Sequence, residues 1–69
     1  MIKVKIDTED IKLDQFLKFA NLAQTGGHAK IIIREGLVKI NGMVSLKRSK
    51  KLRKDDIIEV MGQGKYIVK

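Results

Sequence analysis

The stretch Thr25–Leu46, TGGHAKIIIREGLVKINGMVSL, decides the fold. Its first half carries Ala29, Ile32 and Ile33 at a helical spacing, so one side of a short helix is apolar. Thr25 precedes this pattern as a natural N-cap, and Gly36 follows it as a left-handed stop. Lys30 and Arg34 then lie one turn apart beside the apolar face. Ile31 points elsewhere, and the sequence leaves open whether it meets a second layer or forms an exposed patch. The second half changes period. Leu37–Ile40 and Met43–Leu46 are β-prone runs flanking Asn41-Gly42, a pair that tolerates the positive φ of a tight hairpin turn.

Working outward, Leu13, Phe16, Leu17 and Ala20 predict a second amphipathic helix upstream, with Asp14 near its positive end and Asn21–Gln24 closing it. At the amino terminus, IKVKI over residues 2–6 alternates and predicts an edge strand with Ile2, Val4 and Ile6 on one face. Downstream, Asp55-Asp56 reads as a turn into a strand over 57–60. The segment MGQG then leads to a last strand over 65–68. The order β-α-α-β-β-β-β implies an α+β fold, with two packed N-terminal helices against a small, mainly antiparallel sheet of four to five short strands. Residues 1–69 are expected to form a single domain, since a chain of 69 residues has material for one core.

Charge is unevenly placed. Fifteen Lys and Arg stand against eight Asp and Glu, a net charge of +7. The first 23 residues are balanced, and the excess falls downstream, where six of the eight residues in KRSKKLRK (47–54) are basic. Such a one-sided footprint suits a surface that neutralises phosphates. The competing reading, a solvated charge run, is weakened by its place between apolar strand patterns; the run is expected to be a loop held on a folded scaffold. Lys47, Arg48, Lys50, Lys51 and Arg53 are therefore the leading candidate ligands. Lys30 and Arg34 join them.

Several chemistries are excluded or disfavoured. Without cysteine there are no disulfides or thiolate sites, and His28, the sole histidine, cannot build a metal site alone. No sequence neighbour offers His28 a nucleophile or an orienting carboxylate, so catalysis is not expected, nor is a cofactor. No apolar run is long enough for a membrane span, and the expected location is cytoplasmic. The aromatic residues are only Phe16, Phe19 and Tyr66, which is poor material for stacking single-stranded bases.

The whole run from Ile11 to Val60 resembles the S-four RNA-binding domain. The resemblance rests on Leu13-Asp14 with Leu17, on the series Ala29, Ile33, Gly36, Val38, Asn41 and Gly42, and on Asp56-Ile57. Within that family the chain is most similar to small single-domain members carrying T/S-G-G-x-A-K and R-x-K-K-L-R, here Thr25–Lys30 and Arg48–Arg53. In this resemblance the core is 11–60, completed by strands over 2–6 and 65–68. It implies a non-catalytic monomer that grips structured RNA, ribosomal RNA or another stable RNA, and that meets ribosomal or ribosome-assembly proteins. It adds Lys12, Thr25, Gly26, Gly27 and Asn41 to the expected RNA-binding set.

Two departures stand out. Lys12 replaces an arginine common before the leucine-aspartate pair, keeping charge but losing a bidentate fork. Thr25-Gly26 replaces a Ser-Arg pair, and the expectation is that Gly26 and Gly27 leave the helix start bare so that backbone N–H groups meet a phosphate. Asn41-Gly42 is explained as well by the turn alone. Two rival functions remain: an adaptor for an acidic protein, anchored by Ile31 and Phe19, and general binding of nucleic acid including DNA.

Overall fold

The computed structural model describes residues 1–69. Nine elements follow one another: β1 (Ile2–Val4), β2 (Asp10–Lys12), α1 (Leu13–Phe19), α2 (Gly26–Arg34), β3 (Val38–Ile40), β4 (Met43–Val44), β5 (Lys51–Arg53), β6 (Ile57–Val60) and β7 (Gly64–Val68). Five strands make one sheet in the order β1-β7-β6-β3-β4, and β2 pairs with β5 in a separate ribbon.

The elements form where local chemistry directs. Thr25 Oγ1 accepts the His28 N–H at 3.0 Å, closing the start of α2 as its capping position predicts. Gly36 has φ +75°, a left-handed stop one residue beyond the Glu35 cap. Asn41 and Gly42 have φ 51° and 88°, the doubly positive turn that matches strand twist in a two-residue hairpin. Helix α1 stops at Phe19, and Ala20, expected in its apolar face, is the half-buried cap before left-handed Asn21.

Fifteen buried residues form one cluster, to which α1 contributes Leu13, Phe16 and Leu17, α2 contributes Ala29, Ile32 and Ile33, and the strands supply most of the rest. Each aliphatic side chain moved from water in this way contributes about 1.5–3 kcal/mol before chain entropy is counted.

Three expectations need correction. The helices are not the N-terminal layer, because β1 and β2 precede them. The main sheet is mixed: β1 runs parallel to β7, with Ile2 opposite Tyr66 and Val4 opposite Val68. It is indeed an edge strand, but it ends at Val4. Ile2 is exposed, and Ile6 reaches the core only after the chain has left the ladder, where its N–H donates to the Lys69 carbonyl. Finally, the basic run is not wholly a loop. Leu52 is fully buried between exposed Lys51 and Arg53, an alternation that makes this stretch a strand. Its partner is Asp10–Lys12, a segment with no strand signal of its own.

Candidate nucleic-acid interface

The β2–β5 ribbon organises the basic stretch. Its register sets Ile11 opposite Leu52 on the core side, with Asp10 opposite Arg53 and Lys12 opposite Lys51 on the outer side. The ribbon continues into α1: the Leu13 N–H donates to the Lys50 carbonyl at 2.8 Å and the Asp14 N–H to the Arg48 carbonyl at 3.1 Å. Because Leu13 lies opposite Lys50 in a bonded position, the alternation of an antiparallel ladder makes Lys12–Lys51 a non-bonded pair, with Cα atoms about 4.5 Å apart. Like charges so placed repel. Lys12 is also the N-cap of α1, where the helix dipole disfavours a cation, and neither lysine has an ion-pair partner.

Two concavities collect most of the expected ligands. A cleft of about 290 Å³ is lined by Lys30, Ile33 and Arg34 of α2 together with Leu46 and Arg48. The two basic segments, far apart in sequence, therefore share one wall. A broader open groove of about 610 Å³ lies between the β3–β4 hairpin and β5, and it includes Lys50, Lys51 and Arg53 with Asn41, Met43 and Val44. Lys47 is exposed on the loop but lines neither concavity. Lys39 faces Glu59 across the β3–β6 ladder, away from both.

Asn41 has structural work in this groove. Its Nδ2 donates to Asp56 Oδ1 at 3.1 Å and its Oδ1 accepts the Ile57 N–H at 2.9 Å. Asp56 Oδ2 accepts the Arg53 N–H at 2.8 Å, so one clasp ties the hairpin turn to the end of the ribbon. Asp56 is the groove's one acidic residue, and both its oxygens are engaged.

The start of α2 lies outside both concavities. Gly26 and Gly27 are its first two residues, and their N–H groups have no intramolecular acceptor. Neither has a positive φ, and a Cβ would meet nothing within 4 Å at Gly26 and only Thr25 Oγ1 at 3.8 Å in the case of Gly27. The backbone therefore does not require glycine at either position. His28 folds back, its Nδ1 accepting the Gln24 N–H at 3.1 Å, which makes it part of the helix entry. Ile31 is solvent-facing at 56% exposure, resolving the alternative left open by the sequence. The apolar residues Met43, Val44 and Leu46, legible in the sequence only as a β-prone hairpin run, are all exposed and line the two concavities.

The fold and surface define a small α+β module with one core and a cationic ribbon. The chain belongs to the S4 domain family, whose model matches residues 4–69. It is 42% identical over 65 residues to the probable ribosome maturation protein RlbA of Bacillus subtilis (strain 168), covering 94% of this chain and 92% of that protein. The fold is similar to 30S ribosomal protein S4e from Thermoplasma acidophilum, with TM-score 0.60 and 22% identity over 81% of this chain. This chain spans only 30% of that structure's chain, so the likeness is one of fold.

Proposed function

We propose that this protein is a non-catalytic binder of structured RNA that acts on ribosomal RNA during ribosome maturation. The observation that carries this reading is the convergence of Lys30, Arg34 and Arg48 on one cleft, beside a groove holding Lys50, Lys51 and Arg53. Phosphates are the complementary ligand for such a surface, and each cation that displaces a counterion adds to affinity in a salt-dependent way. Membership of the S4 family and likeness to a protein named for ribosome maturation support the choice of RNA.

Lys12 extends the surface through its position opposite Lys51, and Lys47 adds charge on the loop. Asn41 contributes by holding the groove in shape. Gly26 and Gly27, behind the Thr25 cap, offer two unpaired N–H groups to a phosphate at the head of α2, in place of the missing Ser-Arg pair. Phe16 and Tyr66 are buried, and the one exposed aromatic, Phe19, lines neither concavity, so base stacking does not lead recognition. The ligand is read by backbone shape, as in a duplex or helix junction. The protein works as a cytoplasmic monomer without a cofactor, alongside ribosomal or assembly proteins.

Competition binding at fixed salt tests the proposal. Structured RNA should outcompete both single strands and a duplex DNA of matched sequence. Equal affinity for duplex DNA would remove the RNA preference. A second reading is favoured by exposed Phe19 and Ile31, 58% and 56% accessible, which suit an apolar-centred protein contact. Salt titration separates the two, because phosphate binding weakens steeply with salt and an apolar contact does not.

A further inference from the structure

Three large apolar side chains stand out beside the cationic surface: Met43, Val44 and Leu46 are 76%, 53% and 67% exposed. They lie on β4, the edge of the main sheet, and just beyond it. Met43 and Val44 line the broad groove and Leu46 lines the smaller cleft, so this segment is a rim common to both. Cations line each side: Lys50, Lys51 and Arg53 in the groove, Lys30, Arg34 and Arg48 in the cleft. The one acidic residue in either, Asp56, is already held by Asn41 and the Arg53 N–H.

Resting on the RNA-binding reading above, we infer that the Met43–Val44–Leu46 rim is a ridge that seats in the minor groove of an A-form RNA duplex, with one phosphate strand in each flanking concavity. An apolar ridge between two cationic walls is complementary to a surface of sugars and base edges between two anionic strands. The A-form minor groove is wide and shallow and admits such a ridge. The B-form minor groove, about 6 Å wide, does not. The ridge therefore contributes to discrimination between RNA and DNA, while the lysines and arginines supply affinity for both.

The test uses the full chain and a double variant, Met43→Ser with Leu46→Ser, chosen because these are the two most exposed ridge positions. A thermal melt verifies the fold. Binding is titrated against a blunt RNA duplex and the matched B-form DNA duplex across a salt series. The expected result is an RNA affinity lowered by about tenfold, because two side chains seated on a wide, shallow groove are only partly buried, with the RNA salt slope and the DNA affinity unchanged. An RNA loss of less than about twofold, or an equal loss for DNA, overturns the ridge, as it would then add no RNA-specific contact. Polyglutamate that competes for the wild type but not for the variant overturns it in favour of an acidic polypeptide. Self-association of the wild type that the variant abolishes overturns it in favour of a second copy. Failure of the wild type itself to bind duplex RNA defeats the underlying RNA reading as well, and is recognised without the variant.

Discussion

The two helices begin in opposite ways. Helix α1 has no side-chain cap, yet its first N–H groups are closed by the chain itself, Leu13 donating to the Lys50 carbonyl, Asp14 to the Arg48 carbonyl and Gln15 to Asp14 Oδ1. Helix α2 has a side-chain cap from Thr25, yet leaves the Gly26 and Gly27 N–H groups unpaired, with open space where side chains would stand. A helix start satisfied by carbonyls of another segment has nothing left for an anion; one left bare does. The segment over 48–50 thus has two parts in the fold, its carbonyls closing the start of α1 and its Arg48 and Lys50 side chains lining the two concavities.

Separating those two tasks gives the largest expected effect. Replacing Lys47, Arg48, Lys50, Lys51 and Arg53 together by alanine leaves every loop carbonyl in place, so the melting temperature should change little while RNA binding weakens by several kcal/mol. If four of the five reach phosphate, the slope of log affinity against log salt falls by roughly 3–4 units. An unchanged slope would assign the footprint to another surface.

The bare start is tested by Gly27→Ala. Alanine is the better helix former by about 1 kcal/mol and meets no steric obstacle here, so the melting temperature should hold or rise. RNA affinity should fall by about 1 kcal/mol or more, as a phosphate loses its approach to the N–H groups. A stabilised variant with full affinity would leave Lys30 and Arg34 to carry that side of the site. Gly26→Ala, equally unobstructed and without a positive φ, serves as a second measurement.

The closed start is tested by Lys12→Glu. The substitution places a carboxylate at the positive end of α1 and opposite Lys51, and it should stabilise the fold by about 0.5 kcal/mol at low salt. RNA binding should weaken as stability rises. Equal RNA affinity in a chemical-denaturation and titration pair would show that Lys12 faces no phosphate.

The smallest effect belongs to a contact remote from both helix starts, which calibrates the others. Lys69 Nζ lies 2.7 Å from Asp55 Oδ1, and this hydrogen bond and charge lower the Asp55 carboxyl below its ordinary value of 3.8. The stabilisation is fully present above that value and lost as pH falls through the lowered one. The wild type and Lys69→Ala should therefore differ slightly in melting temperature near neutrality and converge at strongly acid pH, with RNA binding alike. A difference that persisted into strong acid would assign the effect to packing of the C-terminal strand.

What the sequence by itself determined is what contacts within a few residues can specify. The helical spacing of Ala29, Ile32 and Ile33, the Thr25 cap, the Gly36 stop and the Asn41-Gly42 hairpin each stand in the structure as read, because capping bonds, helix periodicity and turn dihedrals are local. Its motifs also pointed to the S4 family, to which the chain belongs. Tertiary structure decided the rest. Asp10–Lys12 carries no strand pattern and becomes one only by pairing with Lys51–Arg53, while β1 acquires a parallel neighbour only when the two ends of the chain meet. Those pairings place Lys12 against Lys51, and the packing of α2 against the 46–48 segment brings Arg48 to Lys30 and Arg34. A ladder between distant segments depends on which partner the buried Leu52 and Ile33 draw together through the common core, and that choice is made by burial of the whole chain rather than by any local stretch of it.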